Sequence, residues 1–169
     1  MKHAPFSSYV EIFLEMMSAE RGASLNTIAA YRRDLNEFGL FTQNYGEVIE
    51  DADVSRIQQY LSHLFSVGRA ATTRSRHLSV LRQFFAFLYE DGRRNEDPTR
   101  NLRSPKLGRN LPKFLSQQEV AKLLASARDQ NCSGNVTITA LIELLYATGL
   151  RVSELVGLRT DAISRDGQL

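Results

Sequence analysis

Apolar residues recur along this chain every three or four positions, and almost nowhere alternate with polar ones as a half-buried strand requires. The pattern predicts helices throughout. Ser8 is read as the start of the first, with Glu11 completing a capping box and Tyr9, Ile12, Phe13, Met16 and Met17 as its apolar stripe, ended by Gly22. Ser24 caps a second helix that buries Ile28, Tyr31, Leu35 and Phe38. A third begins near Asp53, uses Val54, Ile57, Leu61 and Leu64, and stops at Gly68. The fourth begins near Thr72 or Thr73 and runs to Asp91-Gly92, with Leu78, Leu81, Phe85 and Leu88 inside. Four amphipathic helices with short to moderate connections predict a small bundle.

The pattern then changes. "RRNEDPTRNLRSPKLGRNLPKFLS", Arg93 to Ser116, holds three of the four prolines and seven Lys/Arg. Proline removes backbone donors and disfavours helix before it, so an extended basic connector is expected here. Beyond it "SQQE", Ser116 to Glu119, is another capping box, followed by Val120, Leu123 and Leu124. "VTITALIELLYATG" is apolar on most sides and is expected deep in a core. About fifty residues beyond the connector are marginal for an independent domain. The expected organisation is a helical domain over 1–92, a linker over 93–115 and the start of a second domain over 116–169, in an all-α fold.

Composition narrows the function classes. Of 169 residues, 43% are hydrophobic and 24% charged, ordinary for a soluble globular protein. Cys132 is the single cysteine, which excludes an intramolecular disulfide and a thiolate metal cluster and suggests a reducing, cytoplasmic setting. No metal or cofactor is expected. No run of 18 uncharged apolar residues occurs, so neither a signal peptide nor a membrane span is expected. The net charge of +2 is unevenly spread: residues 69–113 carry eleven Lys/Arg against four Asp/Glu, while residues 1–68 carry five against nine. A basic centre suits an anionic partner such as nucleic acid, or is a solvated charged linker.

Two helical faces fit the first alternative. Thr72, Ser75, Arg76, Ser79, Arg82 and Gln83 share one arc of the fourth helix, opposite its leucines and phenylalanines. Asn26, Ala29, Ala30 and Arg33 share one face of the second, where two alanines would let a backbone come close. Guanidinium, hydroxyl and amide groups suit phosphate oxygens and base edges alike. Each face alone also reads as the ordinary solvated side of an amphipathic helix.

"LLYATGLRVSELVGL", Leu144 to Leu158, breaks at Gly149 and sets Arg151 beside the break. Arg151 could bond the last carbonyls of the preceding helix, or pair with Glu154 three residues on. The same stretch, "YATGLRVSELVGL", resembles the first arginine motif of tyrosine recombinases. "SLNTIAAYRRDLNEF", "ATTRSRHLSVLRQFFAFLYEDG" and "DPTRNLRSPKLGRNLPKFLSQQEVAKLL" agree with that family in order and spacing. The resemblance spans nearly the whole chain and is to the Xer type, nearer its XerD than its XerC subfamily.

The resemblance implies a four-helix, SAM-like core-binding domain, a linker and a catalytic domain, the two domains forming a clamp on double-stranded DNA. It implies strand exchange through a 3′-phosphotyrosyl bond, without metal or cofactor, in a heterotetramer with a partner Xer recombinase, resolving chromosome dimers. Arg151 matches a catalytic arginine that stabilises charge on the nonbridging oxygens, and Glu154 an acidic position that supports it. Asn26, Arg33, Thr72, Ser75, Arg76, Ser79 and Arg82, with Lys106 and Arg109 of the connector, are the expected DNA contacts. The family also needs a hairpin lysine, a His-x-x-Arg motif and a tyrosine nucleophile after Arg151. Here no lysine or histidine follows Arg151 and all six tyrosines precede it. The chain therefore reads as a recombinase portion with one catalytic residue, whose second unit is cut short and prone to self-association. A naturally truncated regulator of recombination sites and a helical protein–protein scaffold are the rival readings.

Overall fold

The structure is a computed structural model that describes residues 7–105, 114–128 and 135–159. The chain divides into two compact units, residues 1–109 and 110–169. Every regular element among the described residues is helical: α1 (Ser8–Ala19), α2 (Leu25–Gln43), a single 3-10 turn (Ile49–Asp51), α3 (Val54–Ser66), α4 (Ala71–Glu90), α5 (Gln117–Arg128), α6 (Asn135–Thr148) and α7 (Val152–Val156). No helix of the described residues is long and apolar enough to cross a membrane.

In the first unit the four long helices bury one another's stripes. Phe13, Phe38, Ile57, Leu64, Leu78, Phe84, Phe85 and Leu88 are fully buried, with Leu35, Tyr60 and Leu81 nearly so. Aromatic rings tie the core together: Phe13 meets Phe84 edge-on at 5.6 Å, and Phe38 lies 4.9 Å from Tyr60. The first stripe is rotated from the predicted one. Val10 and Leu14 are buried, while Ile12 is 47% exposed. The cap moves with it, because Ser7 and not Ser8 accepts from the Tyr9 amide at 3.3 Å, and its hydroxyl bonds Glu50 of the 3-10 turn. Glu11 makes no capping box; it pairs with Arg32 of α2. Ser24 and Asp53 cap α2 and α3 as the sequence predicts, accepting from the Thr27 and Arg56 amides at 3.2 and 2.7 Å. Helix α4 starts earlier, at Ala71, with no side-chain cap.

The segment after α4 is anchored rather than freely extended. Gly92, at φ +70°, turns the chain back so that Arg93 N–H donates to the Leu88 carbonyl at 2.9 Å. Arg94 donates to the carbonyls of Glu50 and Ala52. Asp97 accepts from the amide and hydroxyl of Thr99, which is fully buried, and Leu102 joins the apolar core at 8% exposure.

In the second unit α5 packs on α6 and α6 on α7. The Ser116 capping box forms as its sequence predicts: Glu119 accepts from the Ser116 amide at 2.7 Å and its own amide donates to the Ser116 hydroxyl at 3.3 Å. Helix α6 is not deep in a core. Val136 is 83% exposed, Ile138 52% and Tyr146 58%, because among the described residues its main packing partners are α5 and α7.

Candidate nucleic-acid interface and the Arg151 turn

Helices α2 and α4 run antiparallel along a polar seam. Gln83 donates to the Tyr31 hydroxyl at 2.7 Å, Arg76 pairs with Asp34, and Arg69 lies 3.3 Å from Glu37. As the α2 number rises, the α4 number falls. The apolar side of both helices faces the core, so the seam joins the two polar faces into one side. Asn26 and Arg33 lie exposed on its α2 half, and Thr72, Arg76 and Ser79 on its α4 half, with Ser75 and Arg82 partly buried. Ala29 is exposed and Ala30 half-buried between the α2 polar residues.

Several of these side chains have intramolecular partners that spacing alone did not reveal. Arg33 donates from Nε to the Ala29 carbonyl at 3.3 Å, which lays it along its own helix. Arg82 donates to the Leu102 carbonyl and to the Ser104 hydroxyl, the latter at 3.0 Å, so it holds the segment that follows the bundle. Lys106 and Arg109 lie outside the described residues.

Beneath the seam is a buried polar group that the sequence reading missed. His77, 2% exposed on α4, shares a hydrogen bond through Nδ1 with the Tyr60 hydroxyl at 3.0 Å, and its Nε2 lies 3.5 Å from Asp34 and 3.9 Å from Glu37. Burial lowers the His77 pKa below its ordinary 6.5, against the opposing pull of Asp34 and Glu37. Burial likewise pushes the Tyr60 hydroxyl far above its ordinary value. The available signal was His77 itself, placed by helical spacing beside Leu78 and Leu81 on the core side of α4.

The Arg151 turn belongs to the second unit. Helix α6 ends with the Thr148 hydroxyl donating to the Leu144 carbonyl at 2.6 Å, and Gly149 takes φ +69°, which a side chain would resist. Arg151 then occupies the cap position of α7. Its amide donates to one oxygen of Glu154 at 2.8 Å and its guanidinium to the other at 2.7 Å. Hydrogen bonds from Arg151 lower the Glu154 pKa. Of the two local roles open to Arg151, the structure shows the pair with Glu154. The side chain remains 81% exposed, so its outer N–H groups face solvent. Such a group is permanently charged and held by one edge, the form in which a guanidinium can receive an anionic oxygen. No cluster of three metal-ligating side chains occurs among the described residues.

Comparison with known proteins adds the following. Residues 10–92 match the model of the phage integrase N-terminal SAM-like domain, and residues 113–169 match that of the phage integrase family. The chain is 46% identical to the tyrosine recombinase XerD of Rhizobium meliloti, aligning over 96% of this chain and 54% of that protein. It is 40% identical to the XerD of Caulobacter vibrioides, over 94% and 52%. It spans about half the length of these relatives. An integrase from mycobacterium phage Brujita shares the fold, with a TM-score of 0.55 at 23% identity over 86% of this chain and 46% of that one. The SAM-like match on the α1–α4 bundle, the family match that takes in the Arg151 turn and the recombinase relatives make this chain a member of the phage integrase family of tyrosine recombinases.

Proposed function

We propose that this chain is the DNA-binding portion of a site-specific tyrosine recombinase, and that the α2–α4 side meets the duplex. The observation that carries the reading is the seam, which puts two short-side-chain, arginine-bearing polar faces on one side of a SAM-like bundle. The joined polar faces of such a pair can present serines, threonines and arginines to the base edges and phosphates of a major groove. Lys106 and Arg109 add phosphate contacts from the connector. Retention of a labelled duplex should fall steeply with salt, and Arg33→Ala should lower affinity on every sequence. Salt-independent retention, or none, would favour the scaffold reading.

In strand exchange a tyrosine oxygen attacks the phosphorus. The 3′-phosphotyrosyl bond forms as the bond to the 5′ oxygen breaks, and that oxygen takes up a proton. Arg151 stabilises the charge on the nonbridging oxygens, and Glu154 orients Arg151 through the contacts described above. The nucleophile is not one of this chain's six tyrosines: the resemblance puts it after Arg151, and none follows. Alone, the 169-residue chain should therefore form no covalent adduct with a nicked suicide duplex on a denaturing gel. For a whole recombinase of this type the proposed setting is cytoplasmic, in a heterotetramer with a partner Xer recombinase that resolves chromosome dimers.

A further inference from the structure

We propose that Asp34 is a specificity-determining positioning residue, holding the Arg76 guanidinium so that Arg76 reads a guanine in the major groove instead of clasping a phosphate. The proposal rests on the α2–α4 side being the DNA surface.

Asp34 is 5% exposed, whereas the Arg76 side chain is 45% exposed. One Asp34 oxygen accepts from Arg76 Nη1; the other lies 3.5 Å from His77 Nε2. His77 Nδ1 shares a hydrogen bond with the Tyr60 hydroxyl at 3.0 Å, which fixes the ring with its Nε2 edge toward Asp34. Glu37, facing the same Nε2, is itself paired with Arg69. The buried carboxylate thus lies against His77 of α4, whose ring Tyr60 of α3 holds in turn, and it accepts from the guanidinium.

This arrangement suits a base better than a phosphate. A phosphate accepts donors from many directions, so holding the guanidinium in one direction gains little there, whereas a base edge requires that direction. A guanine presents O6 and N7 to a planar fork of fixed direction, and the donors of Arg76 not taken by Asp34 supply one. Ser79 lies three residues on along α4, and the small side chains of Ala29 and Ala30 leave the neighbouring α2 surface low.

The test is selection of the whole chain against a pool of randomised duplexes, comparing wild type with Arg76→Lys, Arg76→Ala and Asp34→Asn. Arg76→Lys retains the charge at an exposed site, so it preserves the fold even if Asp34→Asn does not. The expected result is one guanine column that both Arg76→Lys and Asp34→Asn flatten by about tenfold in preference, with the other columns unchanged. The proposal is overturned if that column survives Arg76→Lys, or survives Asp34→Asn in a variant that still folds and binds duplex. It is also overturned if Arg76→Ala weakens all sequences alike and lowers the salt slope by about one. Wild type that retains no duplex at all contradicts the DNA-surface reading itself, which separates the two failures.

Discussion

Residues 7–105 and residues 114–159 use the same material, helices with an apolar side, and reach different ends. In the first, Phe13, Phe38, Phe84 and Phe85 are wholly shielded from water. In the second, Leu155 is the one buried residue among those described, although α6 is the most apolar helix in its spelling. Apolar content therefore does not decide burial. A stripe is covered only where other elements face it, and α1 to α4 face one another from several directions while α6 meets α5 and α7.

The largest effect should come from deleting a ring in the closed core. Phe38→Ala removes contacts with Tyr60 and Phe85 and should cost about 3–5 kcal/mol in urea unfolding of the first unit. The matching change in the open unit, Ile138→Ala, should cost less than about 1 kcal/mol, since that side chain is half in solvent. Equal losses would erase the distinction between the units.

The next effect concerns where the closed unit stops. Leu102→Ala should cost about 2–3 kcal/mol, because Leu102 belongs to the core although it lies ten residues beyond Gly92. A piece comprising residues 1–105 should accordingly melt above one comprising residues 1–92. Ser116→Ala, which removes the α5 cap, should cost about 1 kcal/mol and leave the bundle's transition unmoved.

The smallest effect is a slope with pH. The folded state holds His77 neutral, with its pKa below the ordinary 6.5, so the unfolded chain binds its proton first as pH falls. Stability from this group is complete above that value and declines below it. His77→Gln should flatten the decline in melting temperature; an unchanged slope would assign it to other groups.

Element types were legible in the sequence because helical spacing is strong and Ser24, Asp53 and Ser116 each mark a helix start with a side chain that accepts from its first amides, whereas Ser7 and Ser8 offered α1 two such starts. The phase of α1 was not, since Ile12 and Leu14 are equally apolar and only packing against α2 and α4 selects between them. Arg151 and Glu154 were legible as a local pair, three residues apart at a helix start. The Asp34–Arg76 and Tyr60–His77 contacts were not, because they join residues 42 and 17 positions apart, which no local periodicity relates. The anchoring of Leu102 was hidden for a related reason: a proline-rich basic stretch reads as solvated until the core it meets is known.

The claim that α2 and α4 form the DNA surface is tested most directly by placing a single photo-crosslinker at either of two serines. With Cys132 replaced by serine, the reagent is attached to Ser79→Cys on the α4 polar arc or to Ser62→Cys on the exposed side of α3. The account predicts an irradiated protein–duplex adduct from position 79 and none above background from position 62. Crosslinking from position 62 with none from position 79 would contradict it.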